Sequence, residues 1–197
     1  GRLTELWRKR QIKSSTGQQL LEQIRTGREK QADKERNRFV PPVPLNRSEI
    51  AELPELPLGW CWTKLEEIFG VSGGITKNQT RDRLPTKYPY LRVANVYENR
   101  LDLADVLTIG VAVQEAGRAT LRTNDLLIVE GNGSQDQIGR CAVWDGSIKN
   151  CVHQNHIIKA RPYSDVFSKY ALYFMSSAFG RSLIKQVASS TSGLYTL

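Results

Sequence analysis

Residues Thr123–Arg140 read TNDLLIVEGNGSQDQIGR. Leu126, Leu127, Ile128 and Val129 form a short continuous apolar run, bounded by Asn124-Asp125 before it and Gly131 after it. Such a run predicts a strand in the core of the domain. The loop that follows carries Asn132, Ser134, Gln135, Asp136 and Gln137 with no apolar residue among them, and Gly139-Arg140 lead into the next strand. An enzyme loop usually presents one reactive group with its base. This loop presents several amides and a hydroxyl, the groups that read base edges through paired donors and acceptors. The plain alternative is a polar hairpin connection, for which Asn-Gly is the usual signal.

Working outward, strands are predicted at Tyr90–Val96, Val106–Ile109, Leu126–Val129, Gly139–Trp144 and Ile157–Ala160, with Trp60 and Trp62 alternating like a further strand. Leu65–Phe69 predicts a short helical turn, and Gly70–Arg83 a long polar loop. Near the C-terminus Asp165 is placed to cap a helix carrying Val166, Phe167, Tyr170, Ala171 and Phe174. Gly180 is expected to interrupt it, and Leu183, Ile184 and Val187 form a second apolar stripe. At the N-terminus Thr16–Arg38 predicts a helix opened by the capping box Thr16/Gln19, with Leu20, Leu21 and Ile24 as its one apolar stripe. Pro41, Pro42 and Pro44 mark an extended linker. The expected fold class is α+β: a mixed, largely antiparallel twisted sheet with C-terminal helices, preceded by an exposed N-terminal helix. The expected organisation is a helical segment over residues 1–40, a Pro-rich linker over 41–55 and a globular domain over 56–197. No internal repeat is visible.

The chain has 197 residues and a formal net charge of +8. Residues 1–47 hold 12 Lys/Arg against 5 Asp/Glu, and residues 48–197 hold 16 against 15. On that division the excess lies in the N-terminal segment, so local placement rather than bulk charge has to carry any contact with a polyanion. No run of 18 apolar residues suggests a membrane span, and the Arg- and Glu-rich start does not resemble a secretory signal. Cys61, Cys141 and Cys151 are odd in number and form no CxxC, which fits a reduced, cytoplasmic setting.

Gly73–Arg83 brings Lys77, Asn78, Gln79, Arg81 and Arg83 into one stretch. That mixture suits phosphate anchoring by Lys and Arg alongside base contacts from amides; the alternative is an ordinary solvated loop. Gly131–Gln137 has no cation, so Asn132, Ser134, Gln135 and Gln137 would read bases rather than anchor phosphates. Glu130 and Asp136 would accept from a cytosine amine or hold Arg140. Arg92 and Asn95 are further candidates on a strand with one face buried. Thr191, Ser192, Gly193 and Tyr195 suit a phosphate-binding turn, against a plain tail.

Cys151, His153, Asn155 and His156 invite a metal reading, but no second ligand pair has zinc spacing. His153 and Asn155 are read instead as polar residues entering a strand, some of them reaching DNA. Catalysis is largely excluded by absence. There is no G-x-x-x-x-G-K-[ST], no G-x-S-x-G and no Gly-rich methyl-donor loop. With two histidines, neither near a nucleophile elbow, a Ser-His-Asp arrangement has no support.

Five segments, in order, carry a resemblance: Gly1–Arg8 (GRLTELWR), Leu56–Trp62 (LPLGWCW), Tyr88–Val96 (YPYLRVANV), the DLL-x3-G-x-G-x4-I-G-R of residues 125–140, and Ser189–Leu197 (SSTSGLYTL). Together they resemble one target recognition domain, with the tail of the central conserved helix, of the specificity subunits of type I restriction-modification systems. The resemblance implies a division of labour. Each of two such domains in a full subunit reads one half of a split DNA target. Separate modification (methyltransferase) subunits use S-adenosylmethionine, and a restriction subunit uses ATP and Mg. This chain would then bind double-stranded DNA without being an enzyme and without a cofactor of its own. Residues 16–38 would be a connector behind the conserved helix, with Trp7 packing it down, rather than a DNA-binding arm. Two departures stand out: Leu58 occupies a position where the family commonly has Glu, and most of both spacer helices would be missing. The competing expectation is a non-catalytic protein-interaction module with a basic arm.

Overall fold

The computed structural model describes Leu6 and residues 15–34, 39–164, 166–191 and 194–197. The Gly1–Arg8 motif, apart from Leu6, the Asp165 cap, the helix end at 35–38, and Ser192 and Gly193 lie outside the described residues. The chain divides into two compact units, residues 1–68 and residues 69–197.

In the first unit, helix α1 (Gly17–Lys34) opens on the expected capping box. Thr16 N donates to Gln19 Oε1 at 2.9 Å, and Gln19 N to Thr16 Oγ1 at 3.2 Å. Gly17 is required there: its amide donates to Gly59 O at 2.7 Å, and a β-carbon would lie 2.8 Å from Cys61 Sγ. Helix α2 (Arg47–Ala51) stands where an extended linker was expected. Asn46 caps it, and Glu49 returns a bond to the Asn46 amide at 2.7 Å. Trp60 and Trp62 are not in a strand. Pro54 and Pro57 withhold ladder donors, Gly59 turns the chain at φ +88°, and Trp62 Nε1 donates to Pro54 O at 3.0 Å. Helix α3 (Leu65–Ile68) fulfils the expected turn and packs on α1.

The second unit is α+β. Its strands are β1 (Phe69–Ser72), β2 (Lys87–Leu91), β3 (Val96–Tyr97), β4 (Arg100–Leu101), β5 (Leu107–Gly110), β6 (Leu126–Val129), β7 (Gly131–Asn132), β8 (Cys141–Val143), β9 (Val152–His153), β10 (Ile157–Pro162), β11 (Ser189–Thr191) and β12 (Leu194–Thr196). Its helices are α4 (Val113–Ala119), α5 (Val166–Ser176) and α6 (Ala178–Val187). The sheets run β1-β10-β6-β8, β5-β2-β9 and β11-β12-β7, with a β3-β4 hairpin. Every pairing is antiparallel except β2 with β9.

The apolar run of β6 is buried along its whole length and sits between β10 and β8. That is why it shows no alternation. Leu127 and Val129 pack with Leu91, Trp144 and Ile157 in one core cluster. The Asn124-Asp125 pair ahead of β6 has a structural role. Asn124 takes φ +72°, and the fully buried Asp125 receives Arg122 N at 2.7 Å together with two bonds from Arg161, at 2.8 and 2.7 Å.

Phe69–Ser72, expected as the end of a helical turn and the start of a polar loop, form β1, and the strand expected over Tyr90–Val96 ends earlier than the sequence suggests. β2 stops at Leu91, and Val93–Asn95 form a 3-10 turn before β3. The C-terminal helices break at Ser177, not at Gly180. Ser177 caps α6 through Gly180 N at 3.0 Å, while Gly180 lies inside α6 against Phe174 O, where a β-carbon would be 2.0 Å away.

Candidate nucleic-acid interface

Strand pairing fixes which loops share an end of the sheet. The C-terminal end of β1 lies beside the N-terminal end of β10, since Ser72 pairs with Lys159. Ile157 at the start of β10 pairs with Val129 at the end of β6, and Ile128 pairs with Cys141 at the start of β8. Leu91 and His153, the last residues of β2 and β9, are paired in parallel. The connections leaving β1, β2, β6 and β9 therefore emerge at one end.

The turn 154–156 is the hub of that end. Ile75 N donates to His153 O at 2.7 Å, and Asn155 N to Ile75 O at 3.1 Å, which brings in the loop after β1. Glu130 N donates to His156 O at 3.0 Å, which brings in the loop after β6. Gln154 N donates to Leu91 O at 2.9 Å, and its Oε1 accepts Val93 N at 3.1 Å. Two glycines permit these approaches: a β-carbon at Gly74 would lie 2.2 Å from His153 O, and one at Gly131 3.0 Å from His156 Nδ1. β12 adds the C-terminal hairpin, with Tyr195 opposite Asn132 and Leu197 N donating to Glu130 O at 3.1 Å.

The residues picked out from the sequence divide into three groups. Lys77 is exposed and lies two residues beyond the Ile75 bridge, while Asn78, also exposed, is spent on the turn that follows, its Oδ1 accepting Thr80 Oγ1 at 2.6 Å and Arg81 N at 3.2 Å. Ser134 and Gln135 are exposed on the loop after β6, where Gln137 is exposed and Asn132 half-buried. Asn132 Oδ1 accepts Ser134 N at 3.0 Å, and Gln137 Oε1 accepts from Arg140 Nη1. Asn155 and Tyr195 are half-buried at the same end.

The second group leaves that end. Gln79–Arg83 form a 3-10 turn at the other end of β2. Lys87 Nζ donates to Arg81 O at 3.3 Å and to Asp82 O at 3.0 Å, and Lys87 pairs with Gly110. Four residue steps of strand separate Lys87 from Leu91, roughly 13 Å. Gln79 and Arg83 are exposed there. The Arg81 guanidinium grips Glu115 of α4 through two bonds of 2.9 Å, and its Nε donates to Thr76 O at 2.8 Å. The hydrogen bond from Arg81 holds the Glu115 carboxyl below the usual carboxylate range and, in return, raises Arg81. Arg81 stays close to Thr76 and Asn78, but its guanidinium is spent on Thr76 O and Glu115, where the sequence offers a free cation.

The third group is buried or internally bonded. Asn95 is 3% exposed, with Oδ1 accepting Arg92 N at 2.8 Å and Nδ2 donating to Asp102 O and Asp105 O at 2.9 and 3.0 Å. It fastens the connection after β2. Arg92 is held by Asp105 at 2.7 Å. His153 is fully buried, its Nδ1 donating to Ile157 O at 3.0 Å, and burial, with Lys159 nearby, pushes its pKa down to about 4. A neutral ring with Nδ1–H fits both facts. His153 belongs to the core, beyond reach of a duplex.

One feature at this end is not visible in the sequence, and one reading changes. The β3-β4 hairpin places Tyr97 opposite Arg100. Arg140 reaches the same ring while its Nη2 donates to Val93 O at 2.9 Å. Asp136, expected to accept from a cytosine amine or hold Arg140, is bonded by Lys185 instead, at 2.7 Å, and Arg181 Nη2 donates to its carbonyl at 2.9 Å, tying the loop after β6 to α6.

Charge also redistributes. With the division at Phe69, residues 69–197 hold 15 Lys/Arg against 10 Asp/Glu, a balance of +5. Glu49, Glu52, Glu55, Glu66 and Glu67, counted with the globular part on sequence, belong to the first unit.

No protein-family model matches the chain, and no curated protein matches it. Several solved chains are similar. Among them is a crystal structure of HsdS subunit from Thermoanaerobacter tengcongensis, with a TM-score of 0.46 and 16% identity, covering 90% of this chain and 43% of that one. The chain thus spans less than half the length of that structure. Among the described residues no helix is long and apolar enough to cross a membrane, and no group of three His, Cys, Asp or Glu is placed to hold a metal.

Proposed function

We propose that residues 69–197 bind double-stranded DNA and read its sequence, acting as one target recognition domain of a type I specificity subunit. The observation that carries this reading is the convergence of four connections at one end of the sheet. That end presents the exposed hydroxyl of Ser134 and the exposed amide of Gln135, with the cation Lys77, which has no partner among the described residues, two residues beyond the Ile75 bridge. Such a set divides naturally into phosphate anchoring by the cation and base-edge reading by the hydroxyl and amide. The balance of +5 on this unit supports a polyanionic partner and weakens the protein-interaction reading, which rested on a nearly neutral globular part.

On this proposal the chain reads one half-site. Modification subunits would supply S-adenosylmethionine and methyl transfer, and a restriction subunit cleavage. A single reader lacks the gain from linked domains, so its affinity would fall in roughly the micromolar range. Selection of bound duplexes from a random pool tests the reading. It predicts enrichment of one short motif; no binding to any duplex, or binding without enrichment, rejects sequence recognition.

A further inference from the structure

The β3-β4 hairpin carries an exposed cation whose position is fixed by an aromatic ring. Tyr97 and Arg100 face each other across a two-residue turn, Glu98-Asn99. Asn99 takes φ +52°, and its amide donates to Cys141 O at 2.8 Å, clamping the tip to the start of β8. The Arg100 guanidinium lies 4.4 Å from the centroid of the Tyr97 ring, and the Arg140 guanidinium 5.5 Å from it. Among the described residues no carboxylate forms an ion pair with Arg100 or with Arg140. Glu98 at the tip acts on Arg140 through space without an ion pair. Two guanidinium groups on one ring, with no ion-paired acid among the described residues, leave local positive charge only partly offset by Glu98. The ring also limits the rotamers of Arg100 in advance, which lowers the entropy a bound anion would have to offset.

Arg140 ties this cluster to the interface end, while Arg100 also lines a cavity with Val143, Asp145 and Lys169. Arg140 holds Val93 O of the connection after β2 and Gln137 of the loop after β6. Arg140 is half-buried and internally bonded, so it positions the ring; Arg100 is exposed. We propose that Arg100, held by Tyr97 and Arg140, is a phosphate-binding site that grips the duplex backbone beside the bases read by the loop after β6. The proposal rests on the DNA-binding reading above. It also supplies an anchoring cation in place of Arg81, which is spent on Glu115.

The test is the salt dependence of binding to duplex DNA, measured on the full chain with Arg100→Gln, Tyr97→Leu, Tyr97→Phe and Lys149→Gln. Lys149 is an exposed cation in the β8–β9 connection, at the opposite end of β6, and serves as the control. Arg100→Gln should reduce the magnitude of the log–log salt slope by about one and weaken binding to all duplexes by a similar factor. Tyr97→Leu should weaken binding at an unchanged slope, because the cation remains but loses its support, whereas Tyr97→Phe should bind as the parent does. Thermal melting of each variant separates loss of the site from loss of the fold, and Tyr97→Phe keeps the comparison valid if Tyr97→Leu does not fold. A parent that binds duplex with the same slope as Arg100→Gln overturns the proposal alone. A parent that binds no duplex overturns the DNA reading and this site with it.

Discussion

Arg81 and Glu115 form a two-pronged ion pair, Nη1–Oε2 and Nη2–Oε1 both 2.9 Å, that joins the 3-10 turn before β2 to α4. The Arg81 side chain is 11% exposed and that of Glu115 37%. A charge-assisted pair of this geometry contributes more than a surface pair, though the exposed carboxylate discounts it. Arg81→Ala should therefore cost about 1–2 kcal/mol of stability by urea denaturation and leave the salt slope of duplex binding unchanged. A flattened slope at parental stability would return Arg81 to the interface.

Lys77 is the contrasting cation. It is exposed and has no partner among the described residues. Lys77→Ala should weaken binding to all duplexes alike and reduce the salt slope by about one, at unchanged stability. Altered base preference in this variant would contradict the anchoring role.

Gln135 is exposed, and its amide has no partner among the described residues. Gln135→Ala should lose discrimination at one base pair, a cost of about 1–3 kcal/mol, and leave the salt slope intact. Selection from a random pool is the measurement; an unaltered motif counts against base reading by this residue.

His153 makes stability depend on pH. Its ordinary pKa is 6.5, and burial pushes it down to about 4 in the folded chain. Between those values the unfolded chain binds the proton and the folded chain refuses it. Stability is therefore fully present above about pH 6.5 and falls as pH drops toward 4, by on the order of 3 kcal/mol from this group. Urea midpoints at pH 7 and pH 4.5 measure the fall, and His153→Phe should remove most of that part of it. An equal fall in the variant would assign the pH dependence to other groups.

Gly180 tests the helix–helix contact. A β-carbon there would meet Phe174 O at 2.0 Å, where backbone cannot yield cheaply. Gly180→Ala should lower the melting temperature, with a loss of roughly 2–4 kcal/mol despite the better helix propensity of Ala. A variant as stable as the parent would show that the two helices can separate without cost.

Features set by local chemistry were legible in the sequence. The β6 run, the Thr16/Gln19 cap and the α+β class follow from apolar pattern and capping residues, and each is present. Features set by tertiary approach were not. Asn46 and Glu49 do spell a capping box, but the prolines before them mask it. Gly180 reads as a breaker because sequence does not show the carbonyl it packs against. The cluster Lys77–Arg83 looks continuous, yet a turn carries its second half along β2 and sets Arg81 against α4, 34 residues away in sequence. His153 and Asn95 look like strand polar groups and prove to be internal fasteners. Tyr97 and Arg100 are not legible in the sequence because strands of two residues leave almost no periodic signal.

Amide hydrogen exchange of the full chain, with and without a selected duplex, addresses the shared end of the sheet most directly. The account predicts added protection at residues 76–78, 97–100, 131–137 and 154–156, with little change at Gln79–Arg83 or in α4. Protection concentrated at Gln79–Arg83 and α4, with the 131–137 loop unchanged, would contradict it.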